Sequence, residues 1–212
     1  MKQFLFITDF DGTITAQDFF VQIINKYKPE LAFFKTTKRG LNLLSDVFSN
    51  LNLSEEELLN EIKQVPFDPS FSDFVEFIKS VGGKVLILSA GARYYIENKL
   101  KMENLDDKVE IISNESFYDK ANGGIAFVEN KNDEFYDEIF GINKLKVVQN
   151  FKEKFSSLAY AGDSYADFDA CRFCDFKFAK NKLDVILDMF YIDHHKFDNF
   201  AEIKAVLEKK LK

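Results

Sequence analysis

The stretch Phe4-Leu5-Phe6-Ile7-Thr8-Asp9-Phe10-Asp11-Gly12-Thr13-Ile14-Thr15 decides the fold of this chain. Its apolar start is typical of a central parallel strand that is covered on both faces, and Gly12 permits a sharp turn after the two acids. Ligands bind at the carboxyl ends of the strands in open α/β sheets, so Asp9 and Asp11 are candidate site residues. Such a pair is also common at solvated strand ends. A calcium loop is disfavoured, because its further oxygen ligands and closing glutamate are missing.

The composition is that of an ordinary globular protein. The chain has 212 residues, of which 46% are hydrophobic and 30% charged, with a net charge of -7. An acidic chain of pI near 5.0 is a poor match for the basic face that nucleic acid requires, so no nucleic-acid partner is expected. No apolar run approaches the roughly 20 residues that span a bilayer, and the start does not resemble a secretory signal. We therefore expect a cytoplasmic protein with no membrane partner, and make no prediction of its oligomeric state.

Hydrophobic periodicity divides the chain into a helical part and an alternating part. The first part has helical spacing throughout, over Phe19–Tyr27, Leu31–Thr37, Leu41–Phe48 and Leu58–Ile62, the last opened by a capping box at Ser54–Glu57. From Phe71 onward strands alternate with helices, which predicts a parallel α/β sheet with right-handed crossovers. We predict a Rossmann-like α/β core over 1–15 and 69–212, and a helical cap over 16–68 inserted after the first strand.

The elements predicted for the alternating part follow from the same periodicities. Strands are predicted at Lys84–Ser89, Val109–Ile112, Ser157–Ala161 and Phe176–Ala179, with a small hairpin or edge segment at Gly123–Val128. Helices are predicted at Phe71–Ile78 with Pro69 in the first helical position, and at Tyr94–Leu100, Lys144–Phe155, Asp167–Cys174, Leu183–Met189 and Phe200–Leu211. The polar segment 130–140 is predicted to be a surface excursion.

Further polar residues follow the later strands or begin the helices beside them. Ser89 and Gly91 come after the second strand, where a hydroxyl and helix amides can cradle a phosphate. Asp163 and Asp167 follow a later strand, and Lys144, with Lys146 as a second choice, begins the helix before it. Each residue alone has an ordinary structural explanation as a helix cap or a surface charge. Four converging carboxylates would repel one another, however, so together they predict a bound metal ion.

The cysteines and histidines give weaker signals. Cys171 and Cys174 form a lone C-x-x-C on a predicted helix, and the only histidines are the adjacent His194 and His195. Zinc or redox chemistry is possible with such residues, but structural zinc sites usually need a second ligand pair at suitable spacing. We therefore favour packing within a helix as the role of the two cysteines.

Taken together, these motifs identify a family resemblance. Asp9-Phe10-Asp11-Gly12-Thr13, Ser89, Lys144 and Gly162-Asp163-x-x-x-Asp167 resemble, in order, the four motifs of the haloacid dehalogenase superfamily. The helical insert between the first two motifs resembles the cap of its phosphoserine phosphatase-like subgroup. Residues 67–75 and the Ser-Ala-Gly after the second strand are similar to the branch that contains 2-hydroxy-3-keto-5-methylthiopentenyl-1-phosphate phosphatase.

The resemblance implies a Mg²⁺-dependent phosphatase that acts on a small phosphorylated metabolite. Asp9 would attack phosphorus to form an aspartyl phosphate, and Asp11 would protonate the leaving oxygen and later accept a proton from water. Mg²⁺ would be held by Asp9, the Asp11 backbone carbonyl and Asp163, with Asp167 in support. The phosphoryl oxygens would be held by Ser89, the Gly91 amide and Lys144. A phosphotransferase of the same fold and a non-catalytic phosphate-binding regulatory module are the alternatives.

Recognition of the leaving group would fall to residues near the cap. Asp18 stands where phosphoserine phosphatases tend to carry a glutamate that contacts substrate, so it is a candidate substrate-binding residue. Its alternative role is to cap the helix that begins near Phe19. Arg93 is a further candidate, with a surface role as its alternative. The arginine that would hold a substrate carboxylate in that subgroup has no clear counterpart in the insert, where Arg39 lies nearby in the sequence.

Overall fold

The computed structural model describes residues 4–29 and 40–211 of the chain. The strands in these ranges are β1 (Phe4–Thr8), β2 (Lys84–Ala92), β3 (Glu110–Asn114), β4 (Ser116–Asp119), β5 (Gly124–Phe127), β6 (Tyr136–Asp137), β7 (Gly141–Ile142), β8 (Ser157–Gly162), β9 (Phe176–Ala179) and β10 (His195–Lys196). The helices are α1 (Phe19–Tyr27), α2 (Gly40–Phe48), α3 (Glu55–Gln64), α4 (Phe71–Ser80), α5 (Arg93–Met102), α6 (Lys144–Lys152), α7 (Phe168–Arg172), α8 (Asn181–Met189) and α9 (Phe200–Lys210).

A parallel sheet organises these elements, in the order β10-β9-β8-β1-β2-β3 within the described ranges. Every residue of β1 is buried, and β1 pairs with β2 on one side and β8 on the other. Thr8 lies opposite both Ile87 and Ala161, so the residues that follow β1 and β8 emerge at the same edge of the sheet, beside the last part of β2. The predicted α/β fold with a central first strand is therefore confirmed.

The two faces of the sheet are covered by different helices. On one face, Phe6 packs against Phe74 of α4 with ring centroids 4.6 Å apart, and Phe200 of α9 lies 4.7 Å from Phe71. On the other face, Leu5 and Ile7 join a buried cluster formed by side chains of α6, α7 and α8. Alternate residues of β1 thus enter opposite cores, which is why its apolar run is continuous. Many of the 25 phenylalanines fill the first of these cores.

The chain that forms the helices between β1 and α4 leaves the sheet and returns to it through two segments that lie side by side. Thr15 and Phe67 form an antiparallel bridge, and the Ala16 amide donates to the Pro66 carbonyl at 2.9 Å. The Asp68 amide donates to the Ile14 carbonyl at 3.0 Å. We call these paired segments, 14–16 and 66–68, the neck. The division into a core and a cap at these residues remains a prediction, and its helix at Leu31–Thr37 lies outside the described residues.

The insert also contacts the small β4–β5 hairpin. The ring of Phe48 lies 6.2 Å from that of Phe127, and the Leu53 amide donates to the Gly123 carbonyl at 3.0 Å. The Tyr118 hydroxyl donates to the Leu53 carbonyl at 2.7 Å. These contacts hold the end of α2 and the segment before α3 against the β4–β5 hairpin.

Several predicted boundaries differ from the structure. Pro69 lies in a turn and not in the first helical position, because the Asp68 carboxylate accepts from the amide and hydroxyl of Ser70 and delays the helix to Phe71. Asp167 ends a short 3-10 turn, and the helix predicted there covers only Phe168–Arg172. The segment 130–140 contains β6, a strand that was not predicted. The strand predicted from Val109 begins at Glu110, and the helix begun by Lys144 ends at Lys152.

Both cysteines have buried, unbridged thiols, and the Cys174 thiol donates to the Ala170 carbonyl at 3.6 Å. Among the described residues neither cysteine belongs to a cluster of three or more candidate metal ligands. Both side chains pack in the buried cluster that contains Leu5 and Ile7, but Cys174 lies beyond the end of α7 at Arg172 and not within a helix as predicted. Across the described part of the chain, the helices are too short or too polar for any to span a membrane.

Candidate active site

The polar residues at the carboxyl ends of the central strands line one cavity of about 620 Å³. Its walls include seven of the candidate residues that were predicted from the sequence, namely Asp9, Asp11, Asp18, Ser89, Gly91, Lys144 and Asp163. The apolar part of the wall comes from Phe19, Phe20, Leu44, Phe48, Tyr95 and Phe140. The cavity therefore has a charged floor on the sheet and a largely apolar roof formed by the insert and the loop before β7.

The turn after β1 packs closely against Asp163, which lies near Asp9. Gly12 has a φ of +72°, which is unfavourable for other residues, and a Cβ at this position would lie 2.5 Å from Asp163 Oδ2. The Thr13 hydroxyl donates to Asp163 Oδ1 at 3.4 Å. A side chain at position 12 would therefore displace the Asp163 carboxylate from its place beside Asp9.

A buried lysine lies between two carboxylates at the cavity floor. Lys144 Nζ is 2.8 Å from Asp9 Oδ1 and 2.7 Å from Asp167 Oδ1. Burial raises the pKa of Asp9 to about 7, although Lys144 opposes that rise. Burial alone would lower the pKa of Lys144, but the charges of Asp167 and Asp9 raise it above its ordinary value. Lys144 is therefore a fixed positive charge directly beside Asp9.

The acidic cluster is suited to hold a cation. Asp9, Asp163 and Asp167 each offer a carboxylate oxygen, and these oxygens lie within 4.8 Å of one another. Burial and the charge of Asp167 raise the pKa of Asp163 to about 6. Carboxylates that are protonated this readily in the protein alone gain from a nearby divalent cation, and carboxylate oxygens are the ligands that Mg²⁺ prefers.

Asp11 lies where the first strand meets the insert. Its Oδ1 accepts from the Phe19 amide at the start of α1 at 3.0 Å. Burial raises the pKa of Asp11 well above its ordinary value, and the negative charges of Asp18 and Asp9 raise it further. A carboxyl group with a raised pKa can donate a proton near neutral pH.

Asp18 has the capping role that was weighed as its alternative. It is the N-cap residue of α1, and its Oδ1 accepts from the Phe20 amide at 2.8 Å. Its exposed side chain also lines the cavity. Capping explains its place in the fold, and contact with a substrate remains a prediction.

Ser89 and Gly91 lie on an irregular part of β2. The pairing of β2 with β3 shifts register between Leu88 and Ala92, so the strand bends where it borders the cavity. The Gly91 amide donates to Ser89 Oγ at 3.0 Å, and a Cβ at Gly91 would lie 3.2 Å from Asp11 Oδ2. The hydroxyl and the amide predicted to hold phosphate are thus paired with each other beside Asp11.

The remaining candidate residues lie outside the cavity wall. Asp167 is fully buried behind Lys144, and Lys146, the second choice for the phosphate-binding lysine, is exposed on α6. Arg93 does not line this cavity, because its guanidinium pairs with Glu97 at 2.7 Å and with Glu115 at 2.9 Å. Arg39 lies outside the described residues.

Two buried tyrosines near the site were not singled out in the sequence. Tyr95 stacks on Phe19 at 4.3 Å, and burial with the nearby Asp11 charge raises the pKa of Tyr95 well above its ordinary value. Its hydroxyl makes no hydrogen bond within the described residues. The Tyr160 hydroxyl donates to Asp167 Oδ1 at 2.8 Å. Tyrosine in the interior of an apolar strand was the available signal for Tyr160, since a buried hydroxyl needs a partner.

The sequence of this chain is similar to the sequences of phosphatases. Residues 4–204 match the family model described as a putative phosphatase. A polyol phosphate phosphatase of Saccharomyces cerevisiae is 25% identical, with 100% of this chain and 95% of that protein covered. A 2-hydroxy-3-keto-5-methylthiopentenyl-1-phosphate phosphatase of Bacillus velezensis is 26% identical, with 96% of this chain and 89% of that protein covered.

Comparison with solved structures gives the same fold. A phospho-aspartyl intermediate analogue of phosphoserine phosphatase superposes with a TM-score of 0.65 at 15% identity. The match covers 94% of this chain and 95% of that one. The arrangement of sheet and helices is thus shared with phosphoserine phosphatase over nearly the whole length.

Proposed function

The chain belongs to the putative phosphatase family within the haloacid dehalogenase superfamily and is a phosphoric monoester hydrolase, and we propose that it works through an aspartyl phosphate at Asp9 with Mg²⁺ bound. The observation that carries the proposal is the shared cavity wall of Asp9, Asp11, Ser89 and Lys144, with Lys144 Nζ 2.8 Å from Asp9. A nucleophile, an acid and two groups for phosphoryl oxygens are thereby collected around one small space. The phosphoserine phosphatase that shares this fold was solved as an analogue of a phospho-aspartyl intermediate, which supports the proposal.

In the first step, an Asp9 carboxylate oxygen forms a bond to phosphorus while the bond from phosphorus to the leaving oxygen breaks. Asp11 donates its proton to that oxygen, so the product leaves as a neutral alcohol. The raised pKa of Asp11 suits this role, since a carboxyl group of ordinary pKa would hold no proton at neutral pH. Lys144 and the Ser89 hydroxyl stabilise the negative charge on the non-bridging oxygens.

In the second step, water attacks the phosphorus of the aspartyl phosphate, and the bond from Asp9 to phosphorus breaks. Asp11, now ionised, accepts a proton from that water and so regains its starting form. Inorganic phosphate and the free Asp9 carboxylate are the products. Phe19, Phe48 and Phe140 line the cavity beside these groups, and apolar surroundings strengthen the electrostatic contacts between charges.

The acidic cluster fits the proposed Mg²⁺. Asp9 and Asp163 would hold the ion, with the Asp11 carbonyl as the third protein ligand that the family resemblance implies. When bound, the ion neutralises charge on the phosphoryl group, which the carboxylates alone would repel. Its charge would also favour the ionised form of Asp9, whose pKa in the protein alone is about 7.

The substrate is proposed to be a small alkyl phosphate. The relatives are named for the phosphates of polyols and of a methylthiopentenyl compound. The cavity volume of about 620 Å³ admits a metabolite of that size, and its apolar roof and the Asp18 carboxylate favour a leaving group with apolar and polar parts.

The test is phosphate release by the wild-type protein with Mg²⁺ on a panel of phosphomonoesters. The panel includes polyol phosphates, methylthio-substituted sugar phosphates, phosphoserine and p-nitrophenyl phosphate. We expect hydrolysis of p-nitrophenyl phosphate and a much higher kcat/KM for one small alkyl phosphate. Absence of phosphate release from every compound would contradict the proposed function. Turnover that accelerates with an added alcohol, with the phosphoryl group passed to it, would identify a phosphotransferase.

A further inference from the structure

A buried tyrosine hydroxyl lies directly behind the cavity floor. Tyr160 belongs to β8, is fully buried and pairs in register with Ile7 of β1. It does not line the cavity, and its hydroxyl donates to Asp167 Oδ1 at 2.8 Å. Phenylalanine would fill the same apolar volume without a buried polar group, so the hydroxyl calls for an explanation beyond packing.

Both carboxylate oxygens of Asp167 already accept hydrogen bonds from the protein. A carboxylate can accept about four hydrogen bonds. Asp167 Oδ1 accepts from Lys144 Nζ at 2.7 Å and from the Tyr160 hydroxyl at 2.8 Å. Its Oδ2 accepts from the amides of Asp163 and Ser164 at 3.2 and 3.0 Å, and from the Ser164 hydroxyl at 3.0 Å. Asp167 therefore holds Lys144 on one oxygen and the Asp163 loop on the other.

Lys144 is balanced between two carboxylates. Its ammonium has three protons, and the two carboxylates can accept two of them, since Nζ lies 2.7 Å from Asp167 Oδ1 and 2.8 Å from Asp9 Oδ1. The third can reach a phosphoryl oxygen. Because Lys144 and Tyr160 share one oxygen of Asp167, removal of the tyrosine hydroxyl would leave that oxygen to Lys144 alone. The ammonium would then be drawn toward Asp167 and away from Asp9 and the phosphoryl group.

We propose that Tyr160 is a positioning residue whose hydroxyl, through Asp167, sets the place of Lys144 between Asp9 and the transferring phosphoryl group. The inference rests on the proposed function, because the position of Lys144 matters to catalysis only if Lys144 contacts the phosphoryl group. It assigns Asp167 to holding Lys144 and the Asp163 loop, in support of the cation ligands proposed above.

The insert supplies a matched control outside the cavity. The Tyr27 hydroxyl donates to Glu61 Oε1 at 2.9 Å, and Lys26 pairs with the same oxygen. Glu61 is buried like Asp167, so both sites contain a tyrosine and a lysine that share one buried carboxylate oxygen. Neither Tyr27 nor Glu61 lines the cavity. Tyr27→Phe therefore removes the same kind of hydrogen bond without disturbing Lys144.

The experiment compares wild type, Tyr160→Phe and Tyr27→Phe in Mg²⁺ buffer, with p-nitrophenyl phosphate as substrate. Orthovanadate, which imitates the transferring phosphoryl group, is the calorimetric probe of binding. Tyr160→Phe should lower kcat about 10-fold and weaken vanadate binding by a similar factor, while KM changes less than about 2-fold. Tyr27→Phe should change none of these values. Both variants should lose about 2–4 °C in Tm, because each loses one hydrogen bond to a carboxylate.

Each result bears on a different claim. Equal losses of kcat in both variants would mean that the hydroxyl serves stability alone, and would overturn the proposal. An unchanged kcat and unchanged vanadate affinity in Tyr160→Phe would overturn it as well. A wild-type protein that released no phosphate would overturn the proposed function and this inference together, whereas an active wild type with an unaffected Tyr160→Phe variant overturns the inference alone.

Discussion

At the residue scale, Asp9 and Lys144 are charged groups that the fold buries at the floor of the cavity. Asp9 is only 7% exposed, and its pKa is raised to about 7 by burial although Lys144 lies 2.8 Å away. The free-energy cost of burying the Asp9 carboxylate therefore exceeds the stabilisation that Lys144 provides. The free protein keeps a destabilising charge where a phosphate and a cation would later bind.

Asp9→Asn tests this cost in metal-free protein. The pKa of Asp9 is higher in the folded state, about 7, than the ordinary 3.8 of the unfolded chain, so the folded state holds the proton more tightly. Ionisation of Asp9 therefore lowers the free energy of unfolding as pH rises from about 4 to about 8. The variant lacks this charge, so its stability relative to wild type should increase over that range. Urea denaturation at several pH values measures the difference.

The exposed Asp106→Asn serves as the control for that series, and its stability relative to wild type should not follow the same trend. A stability difference between Asp9→Asn and wild type that is constant from pH 4 to pH 8, or that falls, would contradict the assigned cost of burying Asp9.

Asp18 can be tested for recognition separately from capping. Asp18→Ala should cost about 1 kcal/mol of stability through loss of the α1 N-cap, whereas Asp18→Asn keeps the cap and removes the charge. If Asp18 contacts the leaving group, both variants should lower kcat/KM for the physiological substrate at least 10-fold more than for p-nitrophenyl phosphate, which draws little on the insert. An unchanged ratio between the two substrates in Asp18→Asn would assign Asp18 to capping alone.

Residue-level prediction from the sequence succeeded where a residue's place follows from a strand end. Asp9 and Asp163 come together because β1 and β8 are parallel neighbours. Prediction from the sequence was less successful where the role of a side chain depends on the group with which it pairs. Arg93 pairs with Glu97 and Glu115, and no spacing rule indicated that Tyr160 would share Asp167 with Lys144.

At the element scale, the insert is joined to the sheet through the neck, and Asp68 ties the neck to two helices. Its Oδ1 accepts from the Ser70 amide and hydroxyl before α4, and its Oδ2 accepts from the Phe200 amide at the start of α9 at 2.8 Å. One carboxylate thus satisfies amides at the beginning of two helices that pack against each other.

Asp68→Ala should therefore lower the free energy of unfolding by about 2 kcal/mol, since it removes charged hydrogen bonds at two helix starts. Asp68→Asn keeps one acceptor oxygen and should lose about half as much. Neither change should alter kcat per folded molecule, because Asp68 does not line the cavity. Urea denaturation and steady-state kinetics on the same samples measure both effects, and a large fall in kcat with unchanged stability would contradict this role.

Long elements were predicted well and short ones poorly. The central strand and the helices α1, α4 and α9 have uninterrupted periodicity, so their sequence patterns suffice. The two-residue strands β6 and β7 are too short to show any period. The strand β10 joins the sheet by pairing with β9. Such elements are determined by tertiary contacts that no local pattern contains.

At the scale of the whole molecule, two acidic clusters of different character occur in the described residues. One is Asp9, Asp163 and Asp167 at the cavity, and the other is Asp184, Asp188 and His194. In the second cluster Lys196 Nζ already lies 3.0 Å from Asp184 and 2.9 Å from Asp188. A lysine thus lies beside each cluster, but hydrogen bonds from His194 and Lys196 lower the pKa of Asp184, whereas burial keeps the pKa of Asp9 at about 7 and that of Asp163 at about 6. The cavity cluster is therefore the one that we expect to respond to a divalent cation.

Removal of divalent cations with EDTA should abolish phosphate release, and Mg²⁺ should restore it. Saturating Mg²⁺ should also raise Tm by about 5–10 °C, the shift expected for a ligand at about 100 times its Kd. Asp163→Asn should lose most of that shift, whereas Asp184→Asn should keep it. Full activity in metal-free buffer would contradict the proposed Mg²⁺ dependence, and an equal loss of shift in both variants would contradict the assignment of the cation to the cavity.

Asp9 is proposed to carry the phosphoryl group during turnover, and this intermediate can be trapped chemically. Wild-type protein is quenched with acid during steady-state hydrolysis and digested, and the peptides are analysed by mass spectrometry. Asp11→Asn, which should slow hydrolysis of the intermediate, is analysed beside it. We expect one phosphorylated peptide, containing Asp9, in both proteins, and no turnover by Asp9→Asn. Hydrolysis with no phosphorylated peptide, together with normal turnover by Asp9→Asn, would contradict this role of Asp9.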